Sequence, residues 1–256
     1  MIRSKLASQF VLSPNVGARL GSGRADMLIL HYTGMDSAER ACEWLCDRTS
    51  NVSCHYLVDE RGAITQMVDE GLRAWHAGTS SWEGDEDVNS RSIGIEIQNP
   101  GHGAGYPDFP KVQMQAIIAL CQDVVARHGI SATRILAHSD VAPLRKIDPG
   151  EKFDWAMLHT QGVGHWIQPE PITSSGSLLK AGDTGQQVEA LQAMLKSYGY
   201  GAVVNGVYDH LTQANVRAFQ RHFRPALVDG IADTSTVDTL HRLLTRAEQD
   251  GKIHSI

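Results

Sequence analysis

Five short stretches of the chain are apolar or alternate apolar with polar residues, and each predicts a β-strand. They are Met-Leu-Ile-Leu at 27–30, Tyr-Leu-Val at 56–58, residues 64–68, Ser-Ile-Gly-Ile-Glu-Ile at 92–97 and Ile-Leu-Ala at 135–137. Between them the apolar period lengthens to that of a helix. Ala38, Ala41 and Leu45 share one face of a segment that Ser37 can cap and that runs to Thr49. Ile117, Leu120, Cys121 and Val124 recur at helical spacing over 112–128, with Gly129 as the stop. Strands interleaved with helices predict an α/β or α+β fold for residues 1–165, a mixed sheet flanked by helices. Residues 1–25 are polar and glycine-rich and suggest no element of their own.

The periodicity breaks over 166–177, where prolines, glycine and the run Thr-Ser-Ser-Gly-Ser read as a linker. Three helical patterns follow over 178–247: Val188, Leu191, Leu195, then Val216, Phe219, Phe223, then Val237, Leu240, Leu244. Thr212 and Thr234 stand where N-caps are useful, and Gly199, Gly206 and Gly230 punctuate the loops. A small three-helix domain is therefore expected after the linker. With a core of its own on the other side, the first domain is expected to fold when cut near Gln168.

Composition narrows the partners. A net charge of -6 without a Lys/Arg cluster argues against nucleic acid and against a polybasic membrane patch. No apolar stretch reaches the roughly 18 residues of a spanning helix, and the first ten residues lack the apolar core of a signal peptide. Four cysteines in 256 residues, all in the first half, do not make a disulfide framework. These features favour a cytoplasmic protein, with the periplasm as the alternative if a leader has been removed.

The candidate chemistry gathers at the ends of apolar runs. His31 closes 27–30, and His138 follows Arg-Ile-Leu-Ala at 134–137, with Asp148 in the nearby Leu-Arg-Lys-Ile-Asp-Pro-Gly. Two imidazoles and a carboxylate form a ligand set for catalytic zinc, which leaves one tetrahedral position for water. A competing closed site is conceivable from Cys42, Cys46 and Cys54-His55, although structural zinc cysteines usually come as closely spaced pairs on turns. Glu96 is a carboxylate in an otherwise apolar strand, on the face opposite Ile93, Ile95 and Ile97. It is a candidate general base, or a solvated residue on an edge strand. Lys146, two residues before Asp148, is a candidate for stabilising an oxyanion. Trp75 and His76, with Trp82 nearby, can line a sugar or peptide groove, though core packing serves Trp75 equally well.

In this order the residues resemble the zinc-dependent N-acetylmuramoyl-L-alanine amidases, the amidase-2 family related to peptidoglycan recognition proteins. The resemblance covers about 1–165 and rests on Ile-Leu-His-Tyr-Thr at 29–33, Ser-Cys-His-Tyr-Leu-Val-Asp at 53–59, Ala-Trp-His-Ala-Gly at 74–78, Ile-Gly-Ile-Glu at 93–96 and Ala-His-Ser-Asp-Val-Ala-Pro-Leu-Arg-Lys-Ile-Asp-Pro-Gly at 137–150. It implies Zn2+ on His31, His138 and Asp148, a catalytic glutamate at Glu96 and a catalytic lysine at Lys146. The second half resembles the peptidoglycan-binding-1 module through 179–192, Asn-Gly-Val-Tyr-Asp at 205–209, Val-Arg-Ala-Phe-Gln at 216–220 and Val-Asp-Gly-Ile-Ala-Asp at 228–233. The layout is most similar to the AmiD and AmpD branch, which implies cleavage between the muramyl lactyl group and L-alanine of peptidoglycan or 1,6-anhydromuropeptides. A recognition protein that binds wall fragments without cutting them, and a zinc peptidase of the stem peptide, are the alternatives.

Overall fold

A computed structural model describes residues 2–173, 176 and 178–250; Ser174, Ser175 and Ser177 of the expected linker lie outside the described residues. In chain order the elements are β1 (Gln9–Phe10), β2 (Val16–Ala18), β3 (Met27–Tyr32), α1 (Ala38–Cys46), β4 (Tyr56–Val58), β5 (Ile64–Gln66), β6 (Leu72–Ala74), α2 (Val88–Arg91), β7 (Ser92–Ile97), α3 (Lys111–His128), β8 (Ile135–Ala137), α4 (His138–Val141) and α5 (Trp155–Thr160). Three more helices follow: α6 (Gln186–Tyr198), α7 (His210–Phe223) and α8 (Thr234–Gln249). Each of the five strands expected from sequence is present. The three others, β1, β2 and β6, are, Ala74 apart, exposed or half-buried, so no core imposes an apolar pattern on them.

Six strands form one mixed sheet in the order β1-β5-β4-β7-β3-β8, and β2 pairs with β6 in a separate antiparallel ribbon. Within the large sheet only β4 and β5 run antiparallel. Side chains alternate across it as strand geometry demands. Leu28, Leu30, Ile93, Ile95, Ile97 and Ile135 join a core with Ile117, Leu120 and Val124 of α3 and with Trp155 and Leu158 of α5. Met27, Ile29 and Leu136 point the other way and belong to a second cluster. That second cluster is continuous with Val188, Leu191 and Leu195 of α6, Phe219 and Phe223 of α7, and Leu240 and Leu244 of α8. The two halves thus share a core, and the sheet of the first half divides its apolar positions between a core of its own and this shared one.

The described part of 166–173 is packed as well. Trp166 and Ile167 lie against the shared cluster, the Glu170 N–H donates to Thr239 Oγ1 and the Glu170 carbonyl accepts from Ser235.

Helix ends follow local chemistry. Ser37 caps α1 by accepting the Arg40 N–H, as expected, but the helix stops at Cys46, because Asp47 turns to accept the Thr49 N–H of a following 3-10 turn. Gly129, at φ 68°, closes α3. The caps of α7 and α8 are Asp209 and Asp233 rather than Thr212 and Thr234. Their carboxylates accept the N–H groups of Thr212 and Thr236, while Thr234 is already the first helical residue.

The C-terminal half contains an internal repeat. Gln192 accepts the N–H groups of Asn205 and Gly206 and donates to the Val207 carbonyl and Thr212 Oγ1. Gln220 does the same to Asp229, Gly230, Ile231 and Thr236. Each buried amide ties a glycine turn to the start of the next helix, which satisfies backbone groups that would otherwise be stranded in the core.

Candidate active site

His31 and Glu96 are lateral neighbours in the register of β3 and β7, near the C-terminal ends of two central parallel strands. Parallel strand ends are where side chains from several segments converge. His138 begins α4 immediately after β8, the strand on the far side of β3, and Asp148 follows the turn over 143–145. The geometry brings the three expected ligands together. His31 Nδ1 is 2.9 Å from His138 Nδ1 and 3.2 Å from Asp148 Oδ2, and His138 Nδ1 is 3.0 Å from the same oxygen. All three side chains are buried.

Hydrogen bonds behind the rings fix their tautomers. The Ser92 hydroxyl donates to the Val88 carbonyl at 2.6 Å, so its lone pair faces His76 Nε2, 3.1 Å away, which must carry the proton. His76 Nδ1 is then an acceptor, and the His31 Nε2–H donates to it at 3.0 Å. His138 Nε2 donates to the Ala77 carbonyl at 3.1 Å. Both rings therefore turn Nδ1, the nitrogen not spent on these bonds, toward each other and toward a carboxylate oxygen. Three converging acceptors repel one another unless a cation or proton sits among them. Burial, then the neighbouring His138, holds His31 down at about 4, which keeps its ring neutral at ordinary pH. Burial works against ionising Asp148, but a proton placed among the three ligand atoms, on His138 or on His31, attracts and hydrogen-bonds the carboxylate and so holds it far below its usual range.

His76 was expected to meet substrate. It touches the cleft wall, yet both its ring nitrogens are spent on His31 and Ser92. Gly94 makes room for it: a Cβ there would lie 2.5 Å from His76 Cγ. Sequence reasoning missed this orienting position, whose only signal was the glycine in an otherwise isoleucine-rich strand.

Glu96 is not on an edge. Strand β7 lies between β4 and β3, and Glu96 Oε2 is buried with no partner among the described residues. Burial, then the Asp148 carboxylate, pushes its carboxyl well above the usual range. Lys146 lines the same cleft of about 400 Å³, together with Tyr32, Trp44, Trp75 and Arg145. Trp75 is half-buried on the wall and Trp44 half-exposed on α1. Trp82 is fully buried against Tyr198 and Tyr200, in the shared core rather than the cleft.

The competing cysteine site does not assemble. Cys54 Sγ faces the Tyr56 carbonyl and Met67, His55 Nδ1 accepts the Gly94 N–H, and Cys42 and Cys46 pack at the rim of a cluster under α1. Among the described residues, His31, His138 and Asp148 are the only trio placed to hold a metal ion.

Residues 21–151 match the N-acetylmuramoyl-L-alanine amidase family, and residues 184–240 match a peptidoglycan binding domain family. The chain is 36% identical over 241 residues to N-acetylmuramoyl-L-alanine amidase AmiD of Escherichia coli, covering 89% of this chain and 85% of that protein. The chain belongs to the N-acetylmuramoyl-L-alanine amidase family. Another relative, the 1,6-anhydro-N-acetylmuramyl-L-alanine amidase AmpD of Citrobacter freundii, is 31% identical over 163 residues, covering 57% of this chain and 85% of that one. Among solved structures, that of the E. coli amidase AmiD with anhydro-N-acetylmuramic acid-L-Ala-D-gamma-Glu-L-Lys superimposes with a TM-score of 0.75 at 33% identity, covering 97% of this chain and 94% of that chain. AmpDh3 of Pseudomonas aeruginosa with anhydromuramic pentapeptide gives a TM-score of 0.73 at 28% identity, covering 96% and 99%. The shared fold of this amidase extends over both halves. No helix among the described residues is long and apolar enough to cross a membrane.

Proposed function

We propose that residues 1–165 of this amidase hydrolyse the amide between the lactyl group of N-acetylmuramic acid and L-alanine, in peptidoglycan or 1,6-anhydromuropeptides, with zinc held by His31, His138 and Asp148. The observation that carries this reading is the convergence of one carboxylate oxygen with two Nδ1 atoms whose rings are each oriented by a hydrogen bond from behind. The donor set fits zinc, which favours imidazole and carboxylate ligands. Zinc bound there supplies a Lewis acid that acidifies water and polarises a carbonyl. Glu96, unpartnered and across the strand register from His31, takes the proton from the attacking water and returns it to the leaving amine of L-alanine. Lys146 sets its ammonium on the cleft wall, where the scissile carbonyl oxygen gains charge. Trp75 offers an indole face to the sugar or peptide. Residues 178–247, reached through 166–177, hold the enzyme near polymeric wall.

A general base aimed at the ligand cluster supports cutting over mere recognition. Four free thiols, Cys42, Cys46, Cys54 and Cys121, support a reducing, cytoplasmic compartment over the periplasm. Mass spectrometry of digests of purified muropeptides, with and without the anhydro ring, tests the activity. The expected products are a muramyl sugar bearing a free lactyl carboxyl and an intact stem peptide. Chelation should abolish their release and zinc should restore it. Cleavage within the stem peptide, or undiminished turnover in a verified metal-free preparation, overturns the reading.

A further inference from the structure

Asp140 stands two residues after His138 and is fully buried. Its Oδ2 accepts the Ala137 N–H at 2.8 Å, so the carboxylate reaches back over the peptide that leads into His138. Its remaining hydrogen bonds come from the other half of the molecule. The Tyr200 hydroxyl donates to Oδ1 at 2.8 Å, and His222 Nδ1 donates to Oδ2 at 2.7 Å. Both partners are themselves buried and held by packing. His222 stacks on Trp155 with ring centroids 3.7 Å apart and on Phe223 at 3.9 Å, while Tyr200 packs edge-on against Trp82 at 5.1 Å.

The four residues of α4 connect this network to the metal site. His138 supplies Nδ1, the Ser139 N–H donates to the Asp148 main-chain carbonyl at 3.0 Å, and Asp140 receives the two bonds from the C-terminal half. A tilt of α4 therefore moves two of the three ligands together. We propose that the C-terminal half positions the metal ligands, with Tyr200 and His222 acting on His138 and Asp148 through the Asp140 carboxylate. This assigns the second half a task inside the catalytic centre, besides any hold on the wall. The inference rests on the zinc site proposed above.

The test uses the full chain and the variants Tyr200→Phe, His222→Leu and His222→Asn. Zinc affinity is measured by competition with a chromophoric chelator, kcat and KM on a soluble anhydromuropeptide, and thermal stability on the metal-free protein. Tyr200→Phe and His222→Leu should each weaken zinc binding by about tenfold or more, the range for lost groups that orient metal ligands. Turnover should fall with KM near its normal value, since the substrate contacts are untouched. His222→Asn, whose amide can donate from near the Nδ1 position, should recover most of both losses. Zinc affinity and kcat at wild-type values in Tyr200→Phe and His222→Leu overturn the proposal, whatever happens to the melting temperature. Should His222→Leu fail to fold, Tyr200→Phe decides, because it removes a single oxygen. Wild-type protein that binds no zinc overturns the metal site and this inference together, whereas zinc-binding wild type with unchanged variants overturns this inference alone.

Discussion

The two carboxylates of the site have been driven apart by their surroundings. Asp148 faces two imidazoles and stays ionised, while Glu96 is buried with one oxygen unpartnered and is pushed toward the protonated form. A cation at the three ligand atoms favours ionised Glu96 and so makes it a base. Glu96→Gln should therefore keep its zinc and lose turnover by about a hundredfold or more, the usual worth of a positioned general base. Measured zinc stoichiometry beside kcat checks this, and near-normal kcat would return Glu96 to a structural role. His76→Phe should give the opposite pattern, weakening zinc by about tenfold, because the acceptor for His31 Nε2–H disappears. A change confined to KM would restore His76 to the substrate. As candidates, His31, His138 and Glu96 were legible because each stands out against an apolar run, and Asp148 because it follows His138 closely, in Leu-Arg-Lys-Ile-Asp-Pro-Gly. The work of His76 was not, since it depends on a serine and a carbonyl in α2 and β7 that only the fold brings near.

At the scale of elements, the sheet was legible wherever a strand is buried enough for the core to pattern it, even over three residues, and β1 and the β2–β6 ribbon were hidden because they lie largely outside the core. Helix starts in the C-terminal half were misassigned by three residues or fewer. Asp209 and Thr212 both bear capping groups, and local sequence does not say which one the backbone leaves outside the helix. The same limit hid Glu70, which locks the end of α3 against the loop between β5 and β6. Burial pushes this carboxyl up, but hydrogen bonds from His128, Arg127 and Tyr56 outweigh it and hold it at about 2. A carboxyl depressed in the fold stabilises it at pH above the ordinary value near 4.5, and that contribution disappears as pH falls from there toward 2. Glu70→Gln should thus cost about 3 kcal/mol at neutral pH. Denaturant melts of wild type and variant should converge as the pH drops through this window. A gap that stays constant down to pH 2 would mean that the carboxylate's charge contributes nothing.

For the whole molecule, the sequence displayed two apolar periodicities separated by a proline- and serine-rich stretch, and that pattern suggested two domains on a tether. What it concealed was which faces those periodicities bury. Trp82, Val141 and Ala142 of the first half share a core with α6, α7 and α8, and Trp155 stacks on His222. Covering a large side chain is worth about 1.5–3 kcal/mol, so uncovering several of them approaches the roughly 5–15 kcal/mol that holds a domain folded. A truncation ending at Gln168 should consequently melt at much lower temperature than the full chain, or fail to remain soluble. Its activity on small soluble muropeptides should fall along with its activity on insoluble sacculus. A tethered wall-binding module predicts otherwise: soluble substrates would be cut at the full rate, and only the polymer, where local concentration matters, would be cut slowly. Paired rates on the two substrates, taken with melting curves of both proteins, separate these outcomes. Full activity on soluble muropeptide from a stably folded truncation would mean that the shared core is dispensable to the site, and that the C-terminal half acts on the polymer alone.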